Sequence, residues 1–353
     1  MAQNVGTPRF YVDILQWLKA QGSLSIASSQ WEQSNILDLI GINPSETNKL
    51  IPAIGNDSLG DNDSIKFETT SSFPTIMPND KNFFMVLGHN LATAGASIYL
   101  QEGEGTVDDT PIYDEETGEE VATWTVAASS GLVNITYNGS NSTIDHDGFS
   151  ISIGNDAHDI QTNKIQFRFD SPEYPESTYE ADIKIGSLLY GNYYDMPHSP
   201  DLNLKLSYEY DGVKTIQTKG GATLSNASYT KPADWGSAGA WQLGGYPNFR
   251  SGRRVWDLSF SYLSSESVMP NLGIQNYVTG ETGEDILTGT DFFSQVWNKT
   301  MGGHLPFIFQ PDGANTDPKA DGFAICRFDM NSLTYDQVAN NVYNVKLKIR
   351  ECW

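Results

Sequence analysis

The sequence is short of cations, of cysteine and of long apolar runs, and each shortage removes a class of function. Against 44 acidic residues stand 21 lysines and arginines, a formal net charge of -23. The field of such a chain repels phosphate backbones and anionic membrane surfaces, so tight nucleic-acid binding is not expected. The two cysteines, Cys326 and Cys352, are too few for a disulfide framework and lack metal-ligand spacing, so both are expected to be reduced. No segment approaches the ~18 consecutive apolar residues of a membrane-spanning helix. The opening MAQNVGTPRF has no basic region leading into an apolar run, so no secretory signal is expected and the chain reads as a soluble product of a cytoplasm.

Signatures of catalysis are missing too. There is no nucleophile elbow, phosphate-cradling loop, paired-histidine zinc helix or dinucleotide fingerprint. The five histidines, His89, His146, His158, His198 and His304, are dispersed, and no two fall four apart as a helical zinc site requires. His89, in GHNLATAG, reads as a turn or strand-end histidine bonded to nearby backbone rather than as a ligand or base. Scattered acids single out no carboxylate pair for glycoside chemistry. The chain is therefore not expected to be an enzyme, and no catalytic, cofactor-binding or metal-binding residue is assigned.

What the sequence does hold is glycine, serine, threonine, asparagine and aromatic residues, with only 18% charged residues, a balance that favours β-sheets joined by turns. A length of 353 residues suggests two domains, or one with a large insertion. Charge is also uneven: no lysine or arginine lies between Lys81 and Lys164, while acids gather at Glu102, Glu104, Asp108, Asp109 and from Asp114 to Glu120. That stretch reads as a solvated acidic loop, with a divalent-cation surface as the alternative. The turns from Asp57 to Asp63 and Asp145 to Gly148 bring side-chain oxygens together as calcium prefers. Turn chemistry alone accounts for the same residues, so calcium enters only as a structural stabiliser.

Along the chain, RFYVDILQWLKAQ begins as a strand and continues with Ile14, Leu15 and Leu18 at helical spacing until Gly22. GNDSLGDNDS, Gly55 to Ser64, marks a boundary. Short strands of ~5 to 8 residues follow: IKFETT, FFMVLGHNL, ASIYLQ, TWTVAA, VNITYNG, GFSISIG and KIQFRFD. Their succession suggests a β-sandwich or jelly roll that closes near Gly191. Further strands are read in LNLKLSYEY, VKTIQTKGG, RRVWDLSFSYLS, LPFIFQPDG, FAICRFDMN and VYNVKLKIREC, with one helix in DFFSQVWNKTMGG. Trp124, Tyr137, Phe149 and Tyr99 form a candidate sugar-stacking platform, against which stands ordinary core packing.

Two stretches carry a resemblance. Ala181 to Gly191, ADIKIGSLLYG, resembles the closing strand of galactose-binding-like modules of phage tail proteins, and Thr218-Lys219-Gly220-Gly221 looks like the segment that follows it there. Leu87 to Gly95, LGHNLATAG, is similar to a turn of the same modules. The C-terminal part resembles the tail-tube and distal-tail family, above all in the helix from Phe292 to Met301 followed by Pro306-Phe307-Ile308-Phe309.

The resemblance implies a mainly β chain in two parts. Residues 1–64 and 192–353 form a tail-tube or distal-tail-like β-sandwich or barrel with one flanking helix, and 65–191 form an inserted galactose-binding-like jelly-roll sandwich. It implies a virion structural protein of a phage tail, a subunit of the tail tip, baseplate or distal tail ring, assembled in the host cytoplasm. Its partners are copies of itself, sixfold in the plainest case, and other tail proteins. The alternative is a carbohydrate-binding or host-adhesion protein whose insertion contacts surface glycan through Trp124 and Tyr137. In the ring reading, the terminal strand Val345 to Ile349 is a candidate edge for pairing with a neighbour. Arg250, Arg253 and Arg254 are candidate partners for a neighbour's acids.

Overall fold

A computed structural model describes residues 5–27, 45–46, 64–78, 81–104, 112–113, 120–121, 125–128, 147–153, 160–170, 181, 183–209, 214–226, 253–270, 286–315 and 322–352. The chain is mainly β, as its composition requires. It opens with the strand Arg9–Asp13 and turns directly into the helix Ile14–Gln21. Asp13 caps that helix, its carboxylate accepting the Leu15 N–H at 3.1 Å. Gly22 ends it in the left-handed region, φ 71°, where a side chain would be strained. Ile14, Leu15 and Leu18 form its buried face, the spacing read from the sequence.

A ten-stranded antiparallel sheet forms the body. Its strands run in the order Gly148–Ile153, Asn82–His89, Ser187–Asp195, Arg9–Asp13, Phe307–Gln310, Ala324–Phe328, Val342–Glu351, Arg253–Ser264, Lys205–Glu209, with Tyr335–Ala339 also paired to Val342–Glu351. Arg9–Asp13 lies inside it: Phe10 is opposite Tyr194 on one side and Phe309 on the other. Gly191 permits this close approach, because a Cβ there would fall 2.1 Å from the Val12 carbonyl oxygen. Backbone pairing thus runs unbroken from strands of 65–191 to strands of the C-terminal part, and Ser187–Asp195 itself spans position 191.

A second antiparallel sheet, ordered Leu24–Ala27, Ser64–Thr69, Lys164–Asp170, Ser97–Glu104, Thr125–Ala128, covers one end of the first. Between them Phe84, Val86, Leu188 and Tyr190 meet Ile65, Phe67, Leu100 and Phe167, with the Phe84 and Phe167 rings 4.7 Å apart. This is sandwich packing. The alternate residues Phe83, Met85 and Leu87 are buried on the opposite face with Tyr11, Ile151 and Leu189. Burial on both faces explains why this strand reads as the continuous apolar run FFMVL instead of alternating.

At the other end, Trp256, Leu258 and Phe260 pack with Val345, Leu347, Ile349, Phe10 and Phe309 beneath Phe292 and Val296 of the helical segment. That segment is helical where expected, but Phe293–Asn298 winds as a π-helix. Its start is capped by Asp291, which accepts the Ser294 N–H at 3.0 Å, and positive φ at Met301, Gly302 and Gly303 ends it.

Two expectations are corrected. Val342–Glu351 is an internal strand, paired with Arg253–Ser264 on one side and with Ala324–Phe328 and Tyr335–Ala339 on the other. Its alternation reports one wet face, not a free edge. Arg254 is committed within the chain: its Nε and Nη2 donate to Glu351 at 3.1 and 3.0 Å, and Nη2 also reaches the Phe323 carbonyl at 2.8 Å. Both side chains are only 4% exposed, and the guanidinium lies 5.1 Å from the Trp256 ring centroid. Arg253 is half-buried beside it, and Arg250 lies outside the described residues. Both cysteines are free, Cys326 deep in the core.

Asp13 generates a prediction. Its burial between helix and sheet pushes its carboxyl up to about 7, against lowering by hydrogen bonds from the Tyr190, Leu15 and Gln16 backbone. The folded state then holds a proton that the unfolded chain releases, so this contribution is complete below about pH 4 and is lost as pH rises through 7. The slope is on the order of 1.4 kcal/mol per pH unit. Denaturant titrations of Asp13→Asn are expected to lack that slope relative to wild type; parallel curves between pH 4 and 7 would show that Asp13 is ionised in the fold.

Candidate functional site

Among the described residues the large sheet ends on Gly148–Ile153 at one edge and on Lys205–Glu209 at the other, with Tyr335–Ala339 also outermost beside Val342–Glu351. Lys205–Glu209 pairs with Arg253–Asp257 from Lys205 opposite Asp257 to Glu209 opposite Arg253, and its outer side has no strand among the described residues. Leu206 leans on the core while Lys205, Ser207 and Tyr208 are exposed. An edge of this kind presents backbone donors and acceptors to any strand that reaches it.

Directly beyond it the chain forms a hairpin, Lys214–Gln217 paired with Thr223–Asn226. The turn between them follows from its residues. Thr218 donates its N–H to the Ala222 carbonyl at 2.8 Å and accepts the Ala222 N–H on its hydroxyl at 3.0 Å, while Gly221 takes φ 85°. The hairpin is exposed on both faces, and Ile216 and Leu224 stand directly opposite each other at 63% and 58% exposure. From 212 to 233 the sequence carries three lysines and no acid.

Apolar side chains are also exposed on and beside the neighbouring strands. In Arg253–Ser264 a bulge between Phe260 and Leu263 turns Tyr262 outward at φ 62° and 78% exposure, with its N–H held by the Asn344 side-chain oxygen at 3.0 Å. Leu202 is fully exposed next to Asp201, which is fastened to the same strand by its N–H to Ser259 and by the Ser261 hydroxyl at 2.7 Å. On the far side of Val342–Glu351, a second bulge exposes Val338 in the short strand Tyr335–Ala339. Bulges re-aim side chains, and a tyrosine held in the left-handed region is strain kept in the fold.

The sites read from the sequence fall elsewhere. Trp124 and Tyr137 lie outside the described residues, and Tyr99 and Phe149 sit on strands of different sheets. The Asp57 to Asp63 turn, Asp145 and His146 also lie outside. The Asp147 carboxylate is taken up by the Thr93 N–H at 3.0 Å and the Thr93 hydroxyl. Among the described residues no group of three or more acidic, histidine or cysteine side chains is placed to hold a metal. His89 is a strand-end histidine as its context suggested: Nδ1 accepts the Leu91 N–H at 3.3 Å, which leaves Nε2–H to donate to Ser150 at 2.8 Å. Of the acidic stretch, Glu102 and Glu104 are in the strand Ser97–Glu104 and Glu120 in a two-residue strand.

One polar cluster was not anticipated. Lys299, 2% exposed, donates to Gln295 Oε1 at 3.1 Å, and the Gln295 amide donates to the Gly289 carbonyl. Burial lowers the Lys299 amine to about 7, opposed by the charge of Asp291. The signal was present, since Phe292, Gln295, Val296 and Lys299 fall three and four apart and so share the face that the helix buries. This network ties the helix to the loop before it.

The exposed Tyr262 generates a prediction. Replacing Tyr262 with glycine removes a left-handed conformation that costs a side-chain-bearing residue roughly 1 to 2 kcal/mol, offset by glycine's own flexibility at about 0.5 to 1 kcal/mol. Thermal melts of Tyr262→Gly are expected to be unchanged or slightly raised; a clear fall would mean that the ring packs against the fold. No family model, curated protein or solved structure matches this chain.

Proposed function

We propose that the chain is a non-enzymatic structural subunit of a bacteriophage tail, at the tail tip, baseplate or distal tail, that joins copies of itself edge to edge into a ring. The observation that carries this reading is a sheet edge unpaired among the described residues, Lys205–Glu209, with the exposed Leu202 before it and an exposed hairpin after it in sequence, and the bulge-presented Tyr262 on the strand it pairs with. A solitary soluble protein blunts such an edge, whereas a ring subunit uses it.

The tail assignment has its own support. The two stretches that resemble tail modules come together: the Gly186 N–H donates to the Leu87 carbonyl at 2.8 Å, and Asn90 exchanges hydrogen bonds with the Lys184 backbone. The third, Thr218 to Gly221, forms the tip of the exposed hairpin. A chain with this excess of acid also suits a ring through which DNA passes without adhering, since like charge suppresses phosphate contacts. On this reading the protein works in the virion tail, is assembled in the host cytoplasm, and contacts other tail proteins above and below the ring.

Mass photometry with negative-stain imaging of the purified protein tests the proposal. Closed rings with an open centre, sixfold in the plainest case, are expected. A chain that remains a monomer at every concentration contradicts it.

A further inference from the structure

We infer that the hairpin Lys214–Asn226 is a docking arm whose occupant is a second copy of this chain, an inference that rests on the ring reading above. The arm places the opposed Ile216 and Leu224 side chains on the neighbour while its lysines meet acidic groups there. Three observations converge on it.

The first is isolation. Among the described residues the two strands pair only with each other, and adjacent residues along each are exposed, so no described element covers either face. A lone two-stranded ribbon is marginal in water and gains independent stability only by packing on something else. The second is the placement of apolar area. Ile216 and Leu224 occupy one cross-strand position on one face, where they form a compact patch instead of scattered exposed residues.

The third is charge. The chain carries -23 overall, so two copies repel at long range. The stretch from 212 to 233 reverses that sign locally, with Lys214, Lys219 and Lys231 and no acid, and Lys219 is exposed at the tip. The acidic surface it complements is the chain's own, present on every neighbour. Such complementarity fixes orientation and speeds encounter more than it adds affinity. The arm also follows the unpaired edge Lys205–Glu209 closely in sequence, so a neighbour that adds its strand there lies within the arm's reach. Duplex DNA is a poorer occupant, because the arm's two lysines act against the field of the whole chain.

The test uses the full chain. Isotope-labelled and unlabelled protein are mixed, allowed to assemble and treated with a carbodiimide, which joins a lysine amine directly to a carboxylate. Peptide pairs joining Lys219 of one isotope to an acid of the other are expected; Lys219 linked only within its own copy overturns the inference. In parallel, the triple variant Ile216→Ser, Leu224→Ser, Lys219→Glu alters exposed positions and is expected to keep the wild-type melting profile while assembling roughly tenfold more weakly, the loss typical of removing a contact hot spot. A variant that forms rings as well as wild type removes the arm but leaves the ring reading standing. Wild-type dimers cross-linked through Lys219 without rings would uphold the arm and remove the ring. Loss of duplex DNA binding by the variant, with assembly intact, would reassign the arm to nucleic acid and overturn the inference.

Discussion

Every strand carries backbone donors and acceptors on two sides, and inside a protein both sides must be paired. The fold depends on how Arg9–Asp13 meets this requirement. It is five residues long, yet it bonds to Ser187–Asp195 on one side and Phe307–Gln310 on the other, joining strands from the middle and the end of the chain. The pairing is reinforced at one end by Arg9, whose Nε donates to Asp195 at 2.5 Å and whose guanidinium stacks 4.2 Å from the Tyr193 ring centroid. At the other end it is held by Asp13, which closes the strand and starts the helix in the same residue. Tyr11 between them donates to Gln310 at 2.7 Å.

The same requirement explains where function is sought. Once Arg9–Asp13 has linked the two halves, the strands inside the sheet are satisfied, including Val342–Glu351 near the end of the chain. The pair of Arg254 and Glu351 locks this region, and a buried, well-bonded pair is costly to break, about 3 to 5 kcal/mol when one partner is removed. Among the described residues, what is left over includes the outer sides of Gly148–Ile153, Tyr335–Ala339 and Lys205–Glu209, and the hairpin that follows Lys205–Glu209 in sequence. Rigidity behind and unpaired groups in front make a surface suited to adding another strand.

Much of the fold was legible because local pattern reports local burial. RRVWDLSFSYLS is a strand from Arg253 to Ser264 as read, and the turn from Asp13 into a helix ending at Gly22 follows from capping chemistry. The run FFMVL pointed to a strand but not to burial on both faces, which depends on partners distant in sequence. The edge was illegible for the same reason: nothing within LNLKLSYEY marks it as outermost, and only the order of strands leaves it there. VYNVKLKIREC misled in the opposite direction, since alternation describes faces and says nothing of edges. Arg254 looked like one surface cation among three until Glu351 was brought beside it across 97 residues. The π-helical winding of Phe293–Asn298 is set by tertiary contacts that no short window contains, whereas the burial of Lys299 was written in its spacing from Phe292, Gln295 and Val296.

Hydrogen exchange measured as a function of protein concentration tests the central claim most directly, because it reads the backbone groups on which that claim rests. Outward-facing amides of Lys205–Glu209 are predicted to exchange rapidly in dilute solution and to become protected as copies associate, while Arg9–Asp13 stays protected throughout. If Lys205–Glu209 exchanges at the same rate in the assembled and dilute states, or if protection appears only on other strands, the free edge is not where copies of this chain meet.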